Sequence, residues 1–344
     1  MGKRILLLAP TFLDLYQDLI SELNRQGYNT TYIKDKEYKF DPFFFRKKSS
    51  ALNQYIYTLF LNIYWYIFLL FHKNIIKEYD YLLVINGMSF HPYLLEQLKK
   101  KNKDIYSVLY LWDRTYNNYK FNRNFINFNK IATFDKVDAH EYNLIFLPLY
   151  WIQETTRKNN EYTIFAFGGF RQDRYKLFKQ IKDIFKNNST VHNYIKILVR
   201  APHKNTIWKI KQLIKKVLKI DNDVLKKIDD KEIIETIPLS PSEFRNKIYT
   251  SECIIDTNNI FQEGMTPRFM WALGAQKKII TTNKNVINYT FYDDSRIFIT
   301  NENINKEALL QFLKTPIINK PEFTSEILPF RIDNWIITLL SNHY

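Results

Sequence analysis

Three stretches of this 344-residue chain gather residue types able to hold an anion or move a proton. One is Gln262-Glu263-Gly264-Met265-Thr266-Pro267-Arg268. Thr266 suits a helix N-cap and Pro267 the first helical position, where a missing N–H costs nothing. A helix start there offers free N–H groups and the positive end of the helix dipole to an anion. Gly264 permits close backbone approach, and Arg268 adds a rigid fork of donors. A diphosphate suits such a place; an ordinary capped helix whose arginine pairs with a surface carboxylate is the alternative. A second stretch is Phe167-Gly168-Gly169-Phe170-Arg171, where two glycines and an arginine after a strand either wrap a phosphate or make a tight turn. Arg200 ends the next expected strand, so with ordinary strand order Gly169, Arg171, Arg200 and Arg268 share one wall.

The third stretch concerns a proton. Asp14, His91, Asp113, Asp135 and Asp138 are the candidates for a general base. Asp113 follows an expected strand between Trp112 and Arg114, where its carboxylate either takes a proton from an attacking hydroxyl or pairs with Arg114. Asp14 is the second catalytic candidate. His91, just before Pro92, reads as a helix cap.

Other chemistries lack their motifs. The dinucleotide fingerprint GxGxxG, the Walker A loop and the HExxH zinc pair are absent from the sequence. Asp221-Asn222-Asp223 and Asp293-Asp294 read as caps and turns, so no metal and no bound cofactor is expected. Cys253, the one cysteine, excludes an intrachain disulfide and a cysteine-rich zinc cluster.

The elements that must position these residues alternate along the chain. Strands are expected at Arg4–Ala9, Thr31–Ile33, Tyr81–Ile85, Tyr106–Leu111, Lys130–Phe134 and Leu144–Leu147, with helices at 13–26, 51–72 and 92–100. A polar stretch at 150–161 follows. Strands then recur at Thr163–Phe167, Ile195–Val199, Ile233–Ile237, Cys253–Asp256, Lys278–Thr281 and Arg296–Ile299, with helices at 174–186, 205–219, 241–250, 266–275 and 306–313, and a last one at Ile332–Ser341. Such alternation implies α/β architecture with parallel sheets, and ligands at the carboxyl ends of the strands. The expected layout is two Rossmann-like domains facing a central cleft: a first domain at 1–150, a linker at 151–161, a second domain at 162–325, and 326–344 as a helix packing back toward the first domain. The apolar N-terminal run is expected to be the first strand, not a leader.

The composition adds a question of partner. Fifty Lys+Arg against 35 Asp+Glu give +15, with both halves basic. That balance fits nucleic acid, an acidic membrane leaflet or a phosphorylated substrate, or simply a codon bias toward Lys, Asn, Ile, Tyr and Phe. Residues 55–71 form the most apolar run, with Arg46, Lys47 and Lys48 upstream. They are readable as a buried helix, an interfacial helix or, at the lower limit of length, a membrane span. Residues 206–219 make a basic amphipathic helix suited to a solvated face or to an anionic surface.

Gln262–Arg268, together with Ala272-Leu273-Gly274 and Lys278-Ile279-Ile280-Thr281-Thr282-Asn283, resembles the donor-domain signature of bacterial capsular and lipopolysaccharide glycosyltransferases of the two-Rossmann GT-B type. Phe134-Asp135-Lys136-Val137-Asp138, Tyr142-Asn143-Leu144 and Leu147-Pro148-Leu149-Tyr150 are similar to the stretch such proteins carry before their interdomain linker. The resemblance is loose over the first 120 residues and better from Asp113 onward. It implies metal-independent transfer of a sugar from a nucleotide-diphosphate donor to a glycan hydroxyl in capsule, O-antigen or lipopolysaccharide synthesis. Gly168, Gly169, Arg171, Arg200, Gln262, Glu263, Gly264, Thr266 and Arg268 would serve the donor, and a first-domain carboxylate would act as base. It also implies a lipid-linked or lipid-anchored acceptor, a cytoplasmic place and peripheral contact with the inner membrane face. One departure is Trp271, where the resembled proteins carry an acidic residue; either Glu263 substitutes from the loop or the donor contact differs. A polyol-phosphate transferase, a nucleic-acid-binding protein and an assembly scaffold are the other readings.

Overall fold

Ile5-Leu6-Leu7-Leu8-Ala9 and Leu82-Leu83-Val84-Ile85 are apolar at every position, the pattern of strands covered on both faces. In the computed structural model they lie side by side and wholly buried in a parallel sheet. The structure describes residues 2–35, 51–115, 121–153, 160–186, 188, 190–199, 232–259, 261–301, 303–318 and 320–341. Arg46–Lys48, Arg200, the 205–219 helix and Asp221–Asp223 lie outside the described residues.

The chain divides into two units: Met1–Gln153 with Asn258–Gly274 and Lys320–Tyr344, and Glu154–Thr257 with Ala275–Asn319. The first holds β1 (Arg4–Ala9), β2 (Asn29–Lys34), β3 (Tyr81–Ile85), β4 (Tyr106–Leu111), β5 (Lys130–Thr133) and β6 (Ile145–Phe146), in the order β2-β1-β3-β4-β5-β6. Every neighbouring pair is parallel. Its helices are α1 (Leu15–Arg25), α2 (Ala51–Phe71), α3 (Pro92–Lys99) and α4 (Lys136–Glu141). The second unit holds β7 (Tyr162–Gly169), β8 (Asn193–Leu198), β9 (Ile234–Glu235), β10 (Ser251–Asp256), β11 (Lys278–Thr281) and β12 (Ile297–Ile299), in the order β12-β11-β10-β7-β8-β9, again parallel throughout. With it come α5 (Gln172–Ile184) and α6 (Pro241–Tyr249). Next in chain order, α7 (Pro267–Gly274) groups with the first unit and α8 (Lys306–Lys314) with the second; α9 (Pro321–Ile327) and α10 (Ile332–Leu340) return to the first.

Two differences from the expected elements have physical reasons. Helix α4 is only six residues long, too short to show a 3.6-residue period, and the Asp135 side chain starts it by accepting the Val137 N–H at 3.0 Å. The segment Asn258–Gly274, expected in the second domain, groups with the first unit. The bonds responsible for that belong to the candidate site.

Both sheets use a lysine to secure a later helix of their own unit. Lys130, opening β5, donates to the carbonyls of Thr338 at 2.7 Å and Ser341 at 3.1 Å, at the end of α10. Lys278, opening β11, donates to the carbonyls of Phe312 at 2.6 Å and Leu313 at 2.8 Å, at the end of α8. A cation at a helix C-terminus satisfies carbonyls that have no partner within the helix. Burial pushes both ammonium pKa values down from the ordinary lysine value. Helix α10 is seated by Ile332, Trp335, Ile336, Leu339 and Leu340, one helical stripe, and Trp335 Nε1 donates to the Pro148 carbonyl at 2.9 Å.

Candidate functional site

In each sheet the chain leaves its first strand toward one side and later returns to the other, so β1/β3 and β7/β10 are the places where strand order reverses. Open parallel sheets bind ligands at the carboxyl ends of such strands. Several polar groups of the chain stand there.

On the first sheet, β1 runs into Leu13 (φ 49°) and Asp14 (φ 55°), and β3 into Asn86 (φ 62°) and Gly87 (φ 71°), all in the left-handed region. Leucine in that region costs about 1–2 kcal/mol, so packing around the turn has to hold it there. Asn86 Nδ2 donates to Asp113 Oδ2 at 3.1 Å, tying the end of β3 to the loop after β4. Asp113 is exposed; Asp14, half-buried, stands at the start of α1 without a side-chain capping bond. Phe12, itself exposed, meets Trp112 edge-on with ring centroids 6.4 Å apart. An exposed carboxylate held by Asn86 therefore follows directly on one member of an aromatic pair.

The other acids of this edge are built in. Asp35, buried after β2, accepts the N–H groups of Met88 and Ser89, each at 2.7 Å, and the Ser89 hydroxyl at 2.6 Å. Burial pushes its pKa up, and these donors pull against that rise. Asp138, wholly buried, accepts the Thr115 N–H at 2.7 Å and its hydroxyl at 2.9 Å; burial raises its pKa too. Arg114 lies 3.5 Å from Asp138 and 3.8 Å from Asp135, and donates to the Phe261 carbonyl at 2.7 Å. His91 is the N-cap of α3, its Nδ1 accepting the Tyr93 N–H at 3.3 Å.

The 262–268 stretch packs onto that same network. Asp135 Oδ2 accepts the N–H of Glu263 at 2.8 Å and of Gly264 at 3.1 Å. A Cβ at Gly264 would stand 2.4 Å from Phe134 Cδ2 and 2.7 Å from the Phe134 carbonyl oxygen, so the close approach made at this glycine is by Phe134. The Gln262 N–H donates to the Asn259 carbonyl, and Gln262's own carbonyl accepts from Asn258 Nδ2 at 3.0 Å. Thr266 accepts the Phe269 N–H at 3.2 Å, the cap expected for a helix that starts at Pro267. Arg268 is half-buried in the first turn, and Trp271 is wholly buried in the core.

On the second sheet the residue that organises the edge is Arg174, which no motif pointed to. Its Nη1 donates to the Gly169 carbonyl at 2.6 Å and its Nε to the Thr257 hydroxyl at 2.7 Å, spanning the ends of β7 and β10. The guanidinium lies against Gly168, where a Cβ would come within 2.8 Å of Nη1. Gly169 faces open space, with nothing within 4 Å of where its Cβ would stand. Arg171 forms a two-pronged pair with Asp173, and this hydrogen bonding holds the Asp173 carboxyl below its ordinary value. The sequence reading missed Arg174 because its role depends on Thr257, 83 residues away. Among the described residues no cluster of His, Cys, Asp and Glu is arranged to hold a metal ion.

The double sheet has clear counterparts among solved structures. The α,α-trehalose 6-phosphate synthase of Burkholderia multivorans superposes with a TM-score of 0.57 at 8% identity, covering 98% of this chain and 97% of its own. OtsA in its apo form gives 0.54 at 9%, covering 99% and 100%. The chain has the GT-B fold. The N-terminal domain of Candida albicans trehalose-6-phosphate phosphatase shares it, with a TM-score of 0.51 at 10% identity over 98% and 96% of the two chains. No protein-family model and no curated protein matches the sequence. At identities this low the GT-B likeness concerns the fold alone, and function rests on the chain's own residues.

Proposed function

We propose that the chain is a glycosyltransferase that moves a sugar from a nucleotide-diphosphate donor to a hydroxyl of a lipid-linked glycan, in the assembly of bacterial capsule, O-antigen or lipopolysaccharide. The observation that carries this reading is Asp113: an exposed carboxylate at the carboxyl edge of a GT-B sheet, held by Asn86 and next in sequence to Trp112, whose ring meets Phe12. A sugar ring lies well on such an aromatic pair. In an inverting transfer Asp113 takes the proton of the acceptor hydroxyl as its oxygen attacks the anomeric carbon. The bond from that carbon to the diphosphate breaks, and the electron pair leaves with the diphosphate.

Charge develops on the departing diphosphate, so fixed N–H groups and arginines supply the main stabilisation and the step needs no metal. Arg268 and Arg171 are the described cations assigned to the donor, and Arg200 is assigned by sequence position. Gly169 offers the backbone approach, and Arg174 positions the turn that carries it. The buried Trp271 leaves Glu263 as the acidic residue for a ribose or sugar hydroxyl. Asp14 is the second candidate base, placed in the left-handed turn after β1.

The test is release of nucleoside diphosphate from a panel of nucleotide sugars in the presence of lipid-linked glycans extracted from bacterial envelopes. One donor is consumed, and Asp113→Asn stops its consumption. Equal release by Asp113→Asn would remove Asp113 from the role of base.

A further inference from the structure

Helix α2 has two apolar faces, one buried and one largely exposed. Its 21 residues include no Asp, Glu, Lys or Arg. Leu61, Trp65 and Leu69 point into the first unit's core, and Trp65 Nε1 donates to the Ser89 carbonyl at 2.7 Å. The opposite face carries Leu59, Ile63, Tyr66, Ile67 and Leu70, spaced as i, i+4, i+7, i+8 and i+11, and ends in Phe71. Ile63 is 51% exposed, Tyr66 53% and Phe71 82%. A contiguous apolar stripe of this kind marks an interaction surface. Among the described residues no helix is long and apolar enough to cross a membrane, so α2 would lie along its partner rather than through it.

We propose that this face of α2 docks the protein on an anionic lipid bilayer. Charge decides the occupant. Exposed Lys73 and Lys77 follow the helix. Helix α3, which meets α2 through Tyr93 and Tyr66, ends in exposed Lys99 and Lys100. A second copy would bring the same cations and another +15 to the contact, whereas an acidic leaflet neutralises them. Leu, Ile and Phe enter the acyl boundary while Tyr66 suits the headgroup level. The inference rests on the membrane side of the proposed function, and its test reads no sugar transfer. A chain that binds lipid but transfers nothing contradicts the activity alone; one that transfers sugar without binding lipid contradicts only this surface.

The experiment is flotation of the full chain with vesicles of phosphatidylglycerol and phosphatidylcholine, or of phosphatidylcholine alone, at low and high salt. The wild-type chain floats with the anionic vesicles at low salt. The triple variant Ile63→Ser/Ile67→Ser/Leu70→Ser, with its melting temperature measured alongside, binds at least about tenfold more weakly. Phe71→Ser, at the exposed helix end, weakens binding in the same direction and serves if the triple variant folds poorly. Equal binding by both variants, or no flotation of the wild-type chain, overturns the proposal. So does a wild-type dimer in light scattering that the triple variant converts to monomer, which would give the face to a second copy.

Discussion

The Asp135 carboxylate accepts the Glu263 N–H at 2.8 Å, across 128 residues of chain. The same oxygen takes the Gly264 N–H, while the other oxygen caps α4 through Val137. The turn before α7 is thus held by a buried acid of the first unit, which takes up the backbone N–H groups of Glu263 and Gly264, two residues assigned to the donor. Arg268, one turn further on, is left to carry the donor reading for that helix. Asp135→Ala strips an acceptor from three backbone N–H groups, a loss of roughly 3 kcal/mol in urea unfolding. Asp173→Ala, which breaks the more exposed pair with Arg171, costs no more than about 0.5 kcal/mol in the same measurement.

Gly264→Ala tests why a glycine stands at that turn. The new methyl overlaps both the Phe134 ring and its carbonyl, and the variant loses roughly 2 kcal/mol. Adding Phe134→Leu recovers only part of the loss, because the 2.7 Å approach to the backbone oxygen remains. Full recovery in the double variant would show that the ring alone excludes a side chain here.

How much of this was legible differs by feature. The alternation of apolar strands and helices showed both sheets, because strands buried on two faces are apolar throughout, as Leu82–Ile85 is. Thr266 and Pro267 marked the start of α7 because capping is local chemistry. Asp135 and Asp138 looked like candidate bases because neither burial nor a partner 128 residues distant shows in local spacing. Arg174 was passed over for the same reason. The apolar run at 55–71 was open to three readings; the structure packs one face and leaves the other exposed, a division hidden because both faces are apolar.

Asp113→Asn keeps the shape of the side chain and removes its basicity, so turnover falls at least about a hundredfold while donor binding is unchanged. Asn86→Ala, which frees the carboxylate without removing it, lowers turnover by a smaller factor, about threefold to tenfold. If Asp113→Asn weakens donor binding as much as turnover, the carboxylate serves binding instead of proton transfer.

His91 makes stability depend on pH. Its Nδ1 must be neutral to accept the Tyr93 N–H, and burial lowers its pKa from the ordinary value of about 6.5. The unfolded chain then binds more protons than the folded one in the window below that value. Stability therefore falls as pH drops from about 6.5 toward the lowered folded value. His91→Asn keeps a capping acceptor and flattens this part of the profile in urea unfolding across that range. An unchanged slope in the variant would assign the dependence to another group.

Binding of a nucleoside diphosphate is tested most directly by a thermal-shift panel of uridine, guanosine and cytidine diphosphates at millimolar concentration. One of the three raises Tm, and Arg268→Ala, which still unfolds in a single cooperative transition, removes the shift. No shift with any of them would contradict the account.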